Sequence, residues 1–311
     1  MGAAPAGTLA AVSNPLLLVS DFLLILLGWV LCRRTSLNRP VWDAVERLVY
    51  NLLFPVLLFN SIVKSPLHAA QVASLAAAAL GMLAIGIALA LALGRWPGVD
   101  QRLHASGAQT AFRFNSYIGL ALAERLGGAE GLASMALLIA ISVPVVNLAA
   151  VWPLARHGGQ STLREIGRNP LVISTLAGLV ANGVGLSLPE PVATTLQRIG
   201  LAALPLGLMA VGAGLALGVL KSAPGLASAL LAIRHAVLPI VAIALGAALA
   251  LPSQERSIVV LFAALPTSAA AYVLAARMGG DGSFVAGLVT MSTLLGTVSI
   301  PLWLAISSAM R

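Results

Sequence analysis

Charged residues are scarce in this chain. They make up 9% of its 311 residues, against about 25% in soluble domains. With 59% hydrophobic residues, that shortage excludes an ordinary soluble domain and predicts an all-α polytopic membrane protein. Short alternating apolar segments are missing, which excludes a transmembrane barrel. The single cysteine, Cys32, excludes an intramolecular disulfide and a cysteine-based metal site. No His/Asp/Glu group has metal-ligand spacing, and no nucleophile has a base nearby. The Gly-Gly pairs lack the lysine of a phosphate loop. The sequence therefore predicts no metal, no cofactor and no enzymatic reaction. The basic excess of +8 is spread in twos and threes between apolar runs. That pattern fits positive cytoplasmic loops and predicts no nucleic-acid partner.

What is present is apolar length. A membrane crossing takes about 20 residues at 1.5 Å each. Counting that way gives ten helices, at about 14–32, 41–63, 68–93, 103–126, 131–154, 169–188, 192–217, 226–251, 255–278 and 283–307. Residues 1–13 form a tail, 14–155 a first five-helix unit, 156–168 a short cytoplasmic link and 169–307 a second unit. Arg33-Arg34 follows the first apolar run, as a stop signal does, so that run is a retained helix and not a cleaved leader. Odd-numbered loops carry ten lysines and arginines and even-numbered loops three. The bias places the odd loops in the cytoplasm and both termini outside an inner membrane. A late start of the eighth helix would put Arg234 and His235 at its cytoplasmic entry.

The two units resemble each other. Asn14-Pro15-Leu16 is matched by Asn169-Pro170-Leu171. Leu53-Phe54-Pro55-Val56-Leu57 is matched by Ala203-Leu204-Pro205-Leu206-Gly207. Ala123-Glu124-Arg125-Leu126-Gly127-Gly128 is matched by Ala275-Ala276-Arg277-Met278-Gly279-Gly280. The offsets are 155, 150 and 152 residues. Five is odd, so the second unit must enter the membrane from the opposite side, giving an inverted repeat as in many secondary transporters. Pro55 and Pro205 are then equivalent and are predicted structural hinges.

One polar run stands out in the fourth helix: Arg113, Phe114, Asn115, Ser116, Tyr117. The repeat offset sets it against Pro266, Thr267, Ser268 and, nearby, Tyr272 in the ninth helix. Both runs lie about 15 Å deep, near the middle of a core about 30 Å thick. Crossed, broken helices there expose unpaired backbone groups and half-helix N-termini, which suit an anion. Pro266 cannot donate a helical bond; Asn115-Ser116 competes for backbone bonds more weakly. An arginine at this depth costs at least ~2.5 kcal/mol, and its fork suits a carboxylate. Two roles are open to Arg113: anion recognition, or an internal pair with Asp21. Asp21 is the one acid well inside a span, which makes it a candidate for ion coupling. Asn51 and Asn60 flank Pro55 and join the candidate substrate residues. Asn147 and Asn182 are expected to bond between helices.

At these residues the chain resembles the auxin efflux carrier family, which includes plant PIN-type carriers and bacterial malonate- and malate-permease-like proteins. The resemblance spans nearly the whole chain. It is carried by Phe22-Leu23-Leu24-Ile25-Leu26-Leu27-Gly28-Trp29, by Leu53-Phe54-Pro55, by Leu265-Pro266-Thr267-Ser268-Ala269-Ala270-Ala271-Tyr272, and by Ser292-Thr293-Leu294-Leu295 with Pro301-Leu302-Trp303. It implies ten helices in two inverted repeats, with helices 1, 2, 6 and 7 as scaffold and homodimer side. Helices 3–5 and 8–10 would form the transport side, with helices 4 and 9 crossed and broken. Asn115 matches the family's crossover asparagine and Pro266 its second crossover proline. Two departures matter: the fourth helix has no proline, and the third helix has neither acid nor base over 72–93. Both point away from auxin itself, and Arg113 points to a compact carboxylate such as malonate or malate. The reading is a secondary carrier that moves a small organic anion, dicarboxylate-like or an auxin-like carboxylate, across the inner membrane by alternating access. The alternatives are a carrier of a neutral or aromatic solute with Arg113 structural, and a non-transporting receptor or assembly subunit.

Overall fold

A computed structural model describes residues 16–64, 69–155, 170–215 and 223–310. The predicted tail 1–13 and link 156–168 lie outside these residues. Among the described residues every regular element is helical. In lipid each backbone polar group must be satisfied within the protein, and a helix does that locally. The elements are α1 (Leu16–Arg34), α2 (Arg39–Leu48), α3 (Phe54–Lys64), α4 (Ala69–Ala92), α5 (Gln101–Gly107), α6 (Ser116–Ala155) and α7 (Pro170–Gly183). They continue as α8 (Glu190–Leu201), α9 (Ala203–Ala213), α10 (Pro224–Ala232), α11 (Leu238–Ala248), α12 (Ser253–Ala264), α13 (Ala270–Arg277) and α14 (Gly282–Ala309).

Local chemistry explains several boundaries. Asp100 caps α5 by accepting from the Arg102 and Leu103 amides, and Asp281 caps α14 by accepting from Phe284, each filling an orphan donor. Prolines open α2, α8 and α10 within the first turn, where their missing N–H is not needed. Gly128 interrupts α6 with φ +55° and ψ −142°, a conformation that an L side chain rarely adopts. The chain turns back there, so a Cβ on Gly131 would press on the Ala123 carbonyl oxygen. Six stretches are long and apolar enough to cross a membrane: Arg39–Lys64, Gln71–Arg95, Gln101–Ala150, Glu190–Ala213, Pro224–Ala248 and Gly282–Ala309.

Two of these stretches contain a wide turn. Val49–Leu53 joins α2 to α3, and Ile233–Val237 joins α10 to α11, each as one π-helical turn. Such turns bulge the helix and leave a carbonyl for another partner. Pro55 follows the first of them by two residues. Pro205 follows the step between α8 and α9, three residues past Ala202. Both predicted hinge positions therefore sit just after a local irregularity, as a ring that clashes with the preceding turn requires.

The packing falls into two sets. α1, α2, α3, α7, α8 and α9 pack among themselves, chiefly α1 on α9 and α3 on α7. α4, α6, α11, α12, α13 and α14 form the other set, with α12 touching α6, α11 and α14. α6 joins the two sets, reaching α3, α7 and α9. Lipid offers no hydrophobic drive between helices, so close backbone approach has to hold such pairs together. The α1–α9 crossing shows how: Gly28 lies against the Met209 backbone and Gly212 against the Ile25 carbonyl.

Candidate substrate site at two helix breaks

Residues 112–115 are not helical, and neither are residues 265–269. The first gap separates the short 3-10 turn Ala108–Ala111 from α6, and the second separates α12 from α13. The two gaps touch. The Asn115 amide donates to the Pro266 carbonyl at 2.8 Å. The Phe114 and Phe262 rings meet beside them with centroids 4.5 Å apart. A Cβ on Gly119 would come within 2.8 Å of the Leu265 side-chain end, which would have to move aside.

Side chains take up the freed backbone groups. Asn115 Oδ1 accepts from the Tyr117 amide at 3.0 Å and the Ile118 amide at 3.3 Å, which makes Asn115 the N-cap of α6. One asparagine thus starts the second half-helix and bonds across to the partner gap, and the fourth helix is interrupted without a proline. Ser268 Oγ accepts from the Ala270 amide at 3.2 Å at the start of α13. The Thr267 amide donates to Ser292 Oγ at 2.9 Å. The Thr267 hydroxyl is buried with no partner. Replacing Asn115 by alanine is expected to lower stability by about 1 kcal/mol through the lost cap. Thermal unfolding in detergent measures it; an unchanged midpoint would remove the cap from this account.

Arg113 is half-buried in the first gap. Its Nη1 donates to Gln109 Oε1 at 3.1 Å and its Nη2 to Asn147 Oδ1 at 2.8 Å. Both acceptors are neutral amide oxygens, and these two bonds aim the guanidinium. Gln109 in turn donates to the Ser106 carbonyl at 3.1 Å and to the Ala271 carbonyl of α13 at 3.2 Å. It therefore ties Arg113 to both breaks. The alternative partner Asp21 sits on α1, and its side chain lies outside the described residues.

The other predicted residues are placed as follows. Ser116 is half-buried at the first position of α6. Tyr117 stacks on Phe54, with centroids 4.9 Å apart, and so links the site to α3. Tyr272 is 46% exposed on α13. Asn60 is buried, and its Oδ1 has no partner. Asn51 is exposed and donates to the Arg47 carbonyl at 2.8 Å, which turns it back onto its own helix. Asn182 donates to the Ile62 and Val63 carbonyls and so bonds between helices, whereas Asn147 on α6 accepts from Arg113 in the gap.

Arg234 and His235 are placed differently from the sequence assignment. They do not lie at a helix start. α10 begins at Pro224, so Arg234 is ten residues in, about 15 Å along the axis. Its side chain is fully buried. Its Nε donates to the Leu265 carbonyl, and its Nη2 donates to the Phe262 carbonyl at 2.8 Å. His235 bridges Ser299 Oγ at 2.9 Å and Ser292 Oγ at 2.8 Å, and its carbonyl accepts from the Trp303 indole at 2.7 Å. Ser292 thus serves both His235 and Thr267. A count from Pro224, a good first helical residue, puts Arg234 at mid-membrane from sequence alone.

A buried guanidinium and a half-buried one, both tied to interrupted helices in a largely apolar bundle, define a multi-pass membrane protein with a polar centre. The comparisons with known proteins agree. Residues 153–304 match the family described as "Membrane transport protein". The chain is 27% identical over 293 residues to an uncharacterized transporter of Methanothermobacter thermautotrophicus, covering 92% of this chain and 95% of that protein. It is 25% identical over 298 residues to a provisionally assigned malonate transporter of Rhizobium meliloti, covering 91% and 92%. The family match covers the second half of the chain, and the similarity to both transporters runs along nearly its whole length.

Proposed function

We propose that this protein is a secondary carrier that moves a small organic anion, of dicarboxylate type, across the inner membrane by alternating access. Ten crossings in two inverted five-helix units, with both termini outside, make up the reading. It is supported by the repeated motifs and by the loop charge bias. The α1–α3 and α7–α9 set would serve as scaffold and dimer side. The set built around α4, α6 and α11–α14 would carry the substrate.

One observation carries the substrate class. Arg113 is aimed by two neutral amides beside the point where Asn115 meets Pro266. A carboxylate takes two parallel bonds from such a fork, and the α6 N-terminus adds a partial positive charge. The name of the Rhizobium meliloti relative favours malonate as the first ligand to try. Malonate at 100 times its Kd should stabilise the purified protein by about 2.7 kcal/mol. Malonamide, uncharged and of similar shape, should not. Equal stabilisation by both compounds would contradict the anion reading.

A further inference from the structure

We propose that Arg234 is a tethered cation that stands where a mobile coupling ion would otherwise bind, so that no sodium ion is needed at this break. The inference rests on the reading of the two breaks as the transport site. The last four carbonyls of a helix lack intrahelical partners and together carry about half a negative charge. In carriers with broken helices, such carbonyls at mid-membrane are where sodium ions or protons are held. Here α12 ends at Ala264, and the carbonyls of Phe262 and Leu265 are both taken by the Arg234 guanidinium.

The guanidinium is well suited to that place and to no obvious other. It is fully buried. Among the described residues no ion pair reaches Arg234. Its third nitrogen, Nη1, is buried without a partner, so the side chain is held by the helix end alone. It projects from the wide turn Ile233–Val237 to the end of α12. An arginine stays charged in proteins, and being covalent it cannot leave with the substrate. His235, the adjacent ionisable group, bonds to two serine hydroxyls. One of them, Ser292, in turn accepts from the Thr267 amide, on the other side of Pro266. The second break is thereby tied to the Ile233–Val237 turn and to α14 by fixed groups on both sides of its proline.

A cation in this position has a consequence that a merely structural arginine lacks. Remove the tethered charge, and the same carbonyls become free to take a small cation from solution. The test compares wild type, Arg234→Gln and Arg234→Lys in detergent, in sodium, potassium and choline chloride at equal ionic strength. Wild type and Arg234→Lys should unfold at the same temperature in all three salts. Arg234→Gln should unfold lowest in choline and gain about 5 °C in sodium, the scale of one bound cation. An Arg234→Gln variant that responds equally to all three salts, or stays unfolded in all of them, overturns the proposal. So does an Arg234→Lys variant as sodium-dependent as Arg234→Gln. Labelled malonate uptake into liposomes is followed in parallel. If wild type carries no malonate, the substrate reading fails while the salt comparison still decides the role of Arg234.

Discussion

Replacing Arg113 by alanine is expected to cut uptake of labelled malonate into liposomes by about 100-fold. A hydrogen bond to a charged partner contributes about 1.5–3 kcal/mol, and each 1.4 kcal/mol is a tenfold change in affinity. Two such bonds from one fork, part of them offset by desolvation, give a loss of about that size. Stability should change much less. The substitution removes a mid-membrane charge costing at least ~2.5 kcal/mol, but leaves the Gln109 and Asn147 oxygens without that donor, at about 1–3 kcal/mol each if buried. Arg113→Lys keeps the charge and loses the paired geometry, so its uptake should fall between the two. Wild-type uptake by Arg113→Ala would make Arg113 a structural residue, and the neutral-solute carrier would become the better reading.

The second large effect is expected far from the site. Gly212→Ala should destabilise the protein by about 1–3 kcal/mol, and Gly212→Leu should prevent recovery of folded protein. A Cβ at Gly212 would fall on the Ile25 carbonyl of α1, with the Trp29 amide nearby. Backbone cannot move aside as a flexible side chain can, so α1 and α9 would have to separate along their whole contact. Gly28 faces the Met209 backbone in the same crossing, which makes the two glycines one contact and their effects non-additive. Size-exclusion profiles and unfolding midpoints measure this. A Gly212→Leu protein as monodisperse and heat-stable as wild type would show that the crossing does not hold these helices.

The sequence was informative where physics is local or periodic. Apolar length gave the membrane class, because lipid leaves few alternatives to a helix. The 152-residue offset set Asn115 and Pro266 in the same region, and their backbones lie 2.8 Å apart. What Asn115 does there was not legible. A side chain that competes for backbone bonds and one that caps a new helix look alike until the partner amides, here Tyr117 and Ile118, are known. The partners of Arg113 were missed for a similar reason. Gln109 is one turn away in sequence, but Asn147 lies on the far side of the reversal at Gly128. Arg234 was displaced by a boundary: the positive-inside rule draws any arginine toward a loop, whereas burial and two carbonyls hold this one inside. Asn51 stands beside Pro55 in sequence, but its exposed side chain bonds back to the Arg47 carbonyl.

The measurement that bears most directly on the central claim is malonate counterflow. Liposomes carrying the wild-type protein are loaded with unlabelled malonate and diluted into a trace of labelled malonate, with no ion gradient imposed. A carrier that alternates access with a carboxylate bound beside Arg113 predicts a transient accumulation of label inside. That overshoot should be lost in Arg113→Ala and in liposomes loaded with malonamide. Label entry no faster than in protein-free liposomes, or an overshoot of equal size in Arg113→Ala, would contradict the account.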